Sequence, residues 1–110
     1  MKSIKIVGTG RSLPERVMTN ADLEKMVDTS DAWIVERTGI RERRIADEQT
    51  ATSDLVAVAL ERACGQAALR PDELDAIIVA TSTPDTIYPA TACWVQKRLG
   101  ISGNAAFDVS

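Results

Sequence analysis

The stretch AIIVAT, residues 76–81, is apolar and β-branched almost without interruption. A strand with one wet face alternates polar and apolar side chains, whereas an unbroken apolar run is the pattern of a strand covered on both faces, as in a mostly parallel sheet. Upstream of it, RPDELD puts Pro71 at the first position of a single helical turn with acidic residues behind it. Downstream, PDTIYP is a loop bracketed by Pro84 and Pro89, followed by a helix over 90–99 that stops at Gly100. The closing stretch NAAFDVS supplies another strand, Ala105 to Val109, which ends at Ser110.

Ahead of this region, Thr52, Ser53 and Asp54 open a long amphipathic helix, with Val56, Leu60, Ala63, Cys64 and Ala67 at helical spacing. Ile4 to Val7 reads as a strand that enters a tight turn at Gly8-Thr9-Gly10. That turn lacks a dinucleotide fingerprint, because Leu13 and then Pro14 stand where a third glycine and a helix are required. Thr19 with Asp22 forms a capping box that opens a short helix, and a second helix runs from a cap among Thr29, Ser30 and Asp31 to Gly39. IRERRI, residues 40–45, reads as extended and exposed. The order of strands and helices predicts an α/β architecture with parallel strands joined by right-handed crossovers, without repeat or linker. In such sheets reactive groups gather at the carboxyl ends of strands, where Thr81 and Ser110 stand.

The 110 residues carry a formal net charge of −3 and no histidine. The acidic balance argues against nucleic acid as a partner. Without histidine the chain offers neither a His-based metal site nor a Ser-His dyad. No apolar run has the length of a signal-peptide core or a membrane span, so a cytoplasmic location without membrane contact is expected. Cys64 and Cys93 are far apart and inside helices, where core packing explains them better than a disulfide or a nucleophile. The acidic residues Asp28, Asp31, Asp54, Asp72 and Asp75 sit at helix starts or in loops, where capping explains them.

The segment TSDAWIVERTGIRERR is more informative. On one helix Trp33 and Arg37 are neighbours at i and i+4, so an indole and a guanidinium can meet a flat aromatic ring while Arg37, Arg41, Arg43 and Arg44 supply charge for phosphates. Composition alone also accommodates a core Trp33 and a solvated arginine face. Tyr88, just before a helix, either plugs an edge or lines a pocket or interface.

TNADLEKMVDTSDAWIVERTGIRERRIA, IIVATSTPD, YPATACWVQKRLGI and AAFDVS, in this order and spacing, resemble the N-terminal part of β-ketoacyl-acyl-carrier-protein synthase III, the initiating condensing enzyme of bacterial type II fatty-acid synthesis. The resemblance covers essentially the whole chain. It implies a thiolase-like fold, a parallel-rich mixed sheet covered by helices, with residues 1–110 an incomplete N-terminal half. In the family a nucleophilic Cys follows a strand like Phe107-Asp108-Val109-Ser110 and takes the acyl group of acyl-coenzyme A. Here that Cys is expected about three residues beyond Ser110, at a helix N-terminus that favours its thiolate. The partner His and Asn are expected in the other half, so this chain carries none of the three and is expected to be inactive alone. By match to the family motif, Trp33 would stack on the adenine of coenzyme A, Arg37 would cover its other face or reach phosphate, and Thr29 would line the mouth. Tyr88 would reach across a homodimer interface and favour a short primer such as acetyl. The implied partners are acyl-coenzyme A and malonyl-acyl carrier protein, with no tightly bound cofactor and no metal. Related polyketide or alkylquinolone condensing enzymes, or a non-catalytic module that binds coenzyme A or a partner protein, are the alternatives.

Overall fold

The computed structural model describes residues 1–110, which divide into two compact units, Leu13–Gln49 and a second made of Met1–Ser12 with Thr50–Ser110.

In the first unit, β1 (Arg16–Thr19) pairs antiparallel with β2 (Glu42–Ile45), and between them run α1 (Asn20–Glu24) and α2 (Asp31–Thr38). The capping box is formed as expected: the Thr19 hydroxyl accepts from the Asp22 N–H, and the Asp22 carboxylate accepts from the Thr19 N–H at 2.9 Å. These bonds, first the backbone one and then that from the Thr19 hydroxyl, hold the Asp22 carboxyl below its ordinary pKa. For α2 the cap is Ser30, whose Oγ accepts from the Trp33 N–H at 3.1 Å. Gly39 ends the helix at φ 71°, a left-handed conformation that a side chain resists. The extended reading of 40–45 holds, although Arg43 and Ile45 are half-buried. Its partner β1 was not foreseen.

In the second unit, β3 (Ala76–Ala80) and β4 (Ala105–Val109) pair in parallel. The helix α3 (Thr52–Gln66), a 3₁₀ turn over Pro71–Glu73 and α4 (Thr91–Leu99) complete it. The core consists of Ala57, Ile77, Val79, Ala92 and Val95, flanked by Val56, Leu60, Leu74, Leu99, Ile101 and Ala106. Because side chains alternate along a strand, Ile77, Val79 and Ala106 face this core while Ile78, Phe107 and Val109 point away and stay exposed, Ile78 at 58%. The expectation that β3 is covered on both faces therefore fails for this chain: α4 lies against both strands on one side only.

Two further expectations are corrected. Residues 4–7 form no strand: Ile4 is fully and Ile6 largely solvent-accessible, and β-branched propensity makes no strand without a ladder partner. The glycines of Gly8-Thr9-Gly10 do not serve a left-handed turn, since neither has a positive φ. They permit a close approach to α3. A Cβ on Gly8 would lie 2.4 Å from the Ala63 carbonyl oxygen, and one on Gly10 would lie 2.2 Å from that of Ala59. Thr9 is tied there by its N–H, which donates to Gln66 Oε1 at 2.6 Å, and Arg62 Nη1 donates to the Arg11 carbonyl at 2.6 Å.

Candidate functional site

Helix α2 sets the geometry of the cleft in the Leu13–Gln49 unit. Ser30 caps it in an extended conformation, and Trp33 emerges from the first turn with 53% of its surface exposed. The i, i+4 spacing brings the Arg37 guanidinium to 5.1 Å from the Trp33 ring centroid. Core burial of Trp33 is thereby excluded. An open cleft of about 330 Å³ lies beside the indole, lined by Asp28, Thr29, Ser30 and Trp33. Arg37 does not line it, so the guanidinium backs the indole and the cleft is on another side of Trp33. Asp28 is a wall of this cleft and not a helix cap.

The amides of the first turn of α2 are largely used internally. The Asp31 N–H donates to Glu24 Oε1 at 2.7 Å and the Trp33 N–H to Ser30. With Asp28, Asp31 and Glu24 nearby in sequence and structure, this helix start is better suited to a stacked ring than to an anion.

A second open cleft, of about 360 Å³, lies at the carboxyl ends of β3 and β4 and is lined by Ala80, Thr81, Ser82, Val109 and Ser110. Sequence reasoning picked out Thr81 and Ser110 there. None of the lining groups is a carboxylate, imidazole or thiol, so this surface can hold a ligand but lacks an acid, a base or a strong nucleophile. The thiols lie elsewhere. Cys64 is buried, and its pKa is raised by that burial and by Glu73, which makes it unreactive. Cys93 is half-buried with Sγ 4.0 Å from the Ala106 carbonyl oxygen. No group of three His, Cys, Asp or Glu side chains could hold a metal ion.

Sequence reasoning missed two carboxylates that cap the helices of this unit. Asp108, on β4, accepts from the Thr91 N–H at 2.6 Å and the Ala92 N–H at 2.9 Å, so the strand caps α4. Burial pushes its pKa up, but those two amides and the Thr91 hydroxyl outweigh it, and the net pKa is lowered. Asp85 accepts from both the N–H (2.8 Å) and the hydroxyl of Ser53 and so caps α3; its own N–H donates to Thr91 Oγ1 at 3.2 Å. Arg98 closes the network, with Nε 2.7 Å from Ser53 Oγ and 3.1 Å from Asp54 Oδ1. Ser53 and Thr91 are wholly buried, and every buried side-chain polar atom has a partner. Asp54 also accepts from the Ala51 N–H at 2.8 Å, the one half of a capping box that an alanine cap allows.

A pH dependence follows. A carboxyl whose native pKa is depressed contributes stability that is complete above its unfolded pKa, about 4, and is lost as pH falls through the native value. Acid unfolding monitored by circular dichroism is expected to set in only below about pH 4. Asp108→Asn should cost about 1 kcal/mol at pH 7 and flatten that acid limb. An unchanged acid limb would remove Asp108 from the cause.

Tyr88 is 90% exposed and Ile87 99% exposed in the loop before α4. The neighbouring Trp94 is fixed by its Nε1–H, which donates to Thr86 Oγ1 at 2.9 Å, and Lys97 lies over its ring.

Parallel strands under helices are the arrangement of the thiolase-like fold, and the solved structures that this chain resembles are a synthase III and a priming ketosynthase of that fold. The crystal structure of 3-oxoacyl-[acyl-carrier-protein] synthase III from Aquifex aeolicus VF5 matches 96% of this chain at TM-score 0.85 and 55% identity, over 34% of its own length. The priming β-ketosynthase of the R1128 polyketide pathway matches 96% of the chain at TM-score 0.84 and 31% identity, over 32% of its length. Within the class, the sequence is similar to β-ketoacyl-[acyl-carrier-protein] synthase III. The protein of that name from Caldanaerobacter subterraneus subsp. tengcongensis is 62% identical over 105 residues, and that from Natranaerobius thermophilus 56% over 109, or 96% and 99% of this chain. The chain spans about a third of the length of these relatives. No family model matches it. The resemblance first seen in the motifs thus extends along nearly the whole chain, in sequence and in fold.

Proposed function

We propose that this chain is the coenzyme-binding segment of a β-ketoacyl-acyl-carrier-protein synthase III, which condenses acyl-coenzyme A, with acetyl as the primer, and malonyl-acyl carrier protein by decarboxylative Claisen chemistry. The observation that carries the reading is the exposed Trp33, backed by Arg37 and lining an open cleft with Thr29, in a chain this similar to synthase III. The indole offers its free side to the adenine of coenzyme A while Arg37 makes the ring a fixed platform; Thr29 lines the cleft mouth.

The chemistry belongs to the complete protein. By the likeness to synthase III, the nucleophilic Cys, His and Asn of the reaction stand outside this chain, which has no histidine and carries both its thiols within helices. Residues 1–110 are an incomplete half of the fold, inactive alone. The cleft at the ends of β3 and β4 faces the segment that brings the nucleophile, and Tyr88 projects toward a second copy in a homodimer and narrows the acyl pocket. The protein works in the cytoplasm without a tightly bound cofactor or metal; no helix here is long and apolar enough to cross a membrane.

Two assays of the complete protein test this. Trp33→Ala should raise KM for acetyl-coenzyme A about tenfold, the worth of one stacked ring, with kcat little changed. An unchanged KM removes Trp33 from the site. The kinship with a polyketide priming ketosynthase makes the donor worth measuring: acetyl-coenzyme A should be preferred, and a preference for medium-chain donors would contradict the role given to Tyr88.

A further inference from the structure

Asn20 is 1% exposed, although asparagine is ordinarily a surface residue. Its side chain is fully engaged. One Nδ2–H donates to Asp31 Oδ1 and the other to the Ile40 carbonyl, both at 2.8 Å, and its Oδ1 accepts from Arg43 Nη2 at 2.8 Å. Its backbone N–H donates to the Arg41 carbonyl at 3.1 Å, and Arg43 Nη1 reaches the Met18 carbonyl at 3.2 Å. A single amide thus ties together the first residue of α2, the loop after α2 and Arg43 of β2, whose guanidinium in turn reaches β1.

The tie to Asp31 matters for the cleft. Asp31 stands between the cap Ser30 and Ala32, so the residues that line the cleft, Asp28, Thr29, Ser30 and Trp33, flank it on both sides. It is clamped from α1 at two points, at its carboxylate by Asn20 and at its N–H by Glu24. From the other side, Ile40 anchors the exit of α2 to the same amide. Both ends of the helix that carries Trp33 and Arg37 are therefore fixed by one buried side chain. Only an amide satisfies this geometry, with two donors toward a carboxylate and a carbonyl and an acceptor toward a guanidinium.

We propose that Asn20 is a positioning residue for coenzyme A binding: through Asp31 and Ile40 it holds α2 so that Trp33 and the turn at Thr29 present a ready-made cleft. This rests on the reading of the Trp33 cleft as the coenzyme site. Preorganisation of this kind acts on affinity and leaves the chemical step alone.

The test uses the complete protein. Asn20→Asp keeps the shape and the Arg43 pairing but turns both donors into acceptors facing Asp31 and Ile40. It should raise KM for acetyl-coenzyme A about tenfold, with kcat within about twofold. The double variant Asn20→Asp with Asp31→Asn restores a donor between the two side chains and should return KM to within about threefold of the parent, a recovery that general destabilisation cannot produce. Asn20→Ser, which keeps a hydroxyl donor and adds no charge, gives the same readout if Asn20→Asp does not fold, with a smaller rise expected. Calorimetric titration with free coenzyme A should show the same order of affinities. Unchanged KM in the Asn20 variants, a fall confined to kcat, or no recovery in the double variant overturns the inference. If Trp33→Ala also leaves KM unchanged, the cleft reading itself fails; if Trp33→Ala raises KM and the Asn20 variants do not, only the role of Asn20 falls.

Discussion

Asp85→Ala is expected to destabilise the fold by about 2 to 4 kcal/mol, because it leaves a fully buried hydroxyl and a backbone N–H without an acceptor. The Asp85 side chain is 9% exposed and accepts both the N–H and the O–H of Ser53, which has no solvent exposure to compensate the loss. The positive end of α3 also loses one of its two nearby carboxylates, Asp54 remaining. Arg98, 3.9 Å from Asp85 and 3.1 Å from Asp54, keeps one carboxylate of two. In thermal unfolding the change should lower Tm by about 10 °C or more. Asp85→Asn retains an acceptor without the charge and should cost about half as much. A Tm within about 1 °C of the parent for Asp85→Ala would show that the network contributes nothing.

Gly10→Ala is the second large effect. The added methyl group would sit 2.2 Å from the Ala59 carbonyl oxygen, 2.5 Å from the Ala63 nitrogen and 2.9 Å from Arg62 Cβ. Two of these are helix backbone, which cannot rotate away, so the segment must lift from α3. That movement breaks the bonds from Thr9 to Gln66 and from Arg62 to Arg11. A cost of about 3 kcal/mol is expected, at the upper end of overpacking penalties. Hydrogen exchange at the Thr9 amide should become fast. Gly65→Ala, on the same helix with nothing within 4 Å of the new Cβ, should instead stabilise by about 0.5 to 1 kcal/mol through helix propensity. Equal effects from the two substitutions would contradict the close-approach account of Gly10.

Much of the fold was legible in the sequence where the interactions are local. Thr19 and Asp22 are three residues apart, as are Ser30 and Trp33, and the caps formed as their spacing suggests. Gly39 and Gly100 end α2 and α4 in the left-handed conformation that glycine adopts freely. The apolar periodicity of α3 and the runs of β3 and β4 likewise gave elements close to those observed. What escaped is non-local. The Asp85 to Ser53 and Asp108 to Thr91 bonds span 32 and 17 residues, so no spacing rule points to them. The strand β1 is four residues with little hydrophobic pattern, and it exists through its ladder with β2. The same dependence on a partner explains the reverse error at Ile4 to Val7.

The site divides the same way. The i, i+4 relation of Trp33 and Arg37 could be read from the helix register, and their contact follows from it. Exposure of Trp33 could not be read from composition, which favours a buried indole. Asn20 carried no signal beyond its place at the start of α1, because its partners Asp31, Ile40 and Arg43 come from three later segments.

The central claim is that Trp33 receives the adenine of coenzyme A. A crystal structure of the complete protein with coenzyme A bound measures this directly. The expected result is the adenine stacked on Trp33 in the cleft beside Thr29, with the Arg37 guanidinium still against the indole. Adenine bound elsewhere, with the Trp33 cleft left bare at saturating coenzyme A, would contradict it.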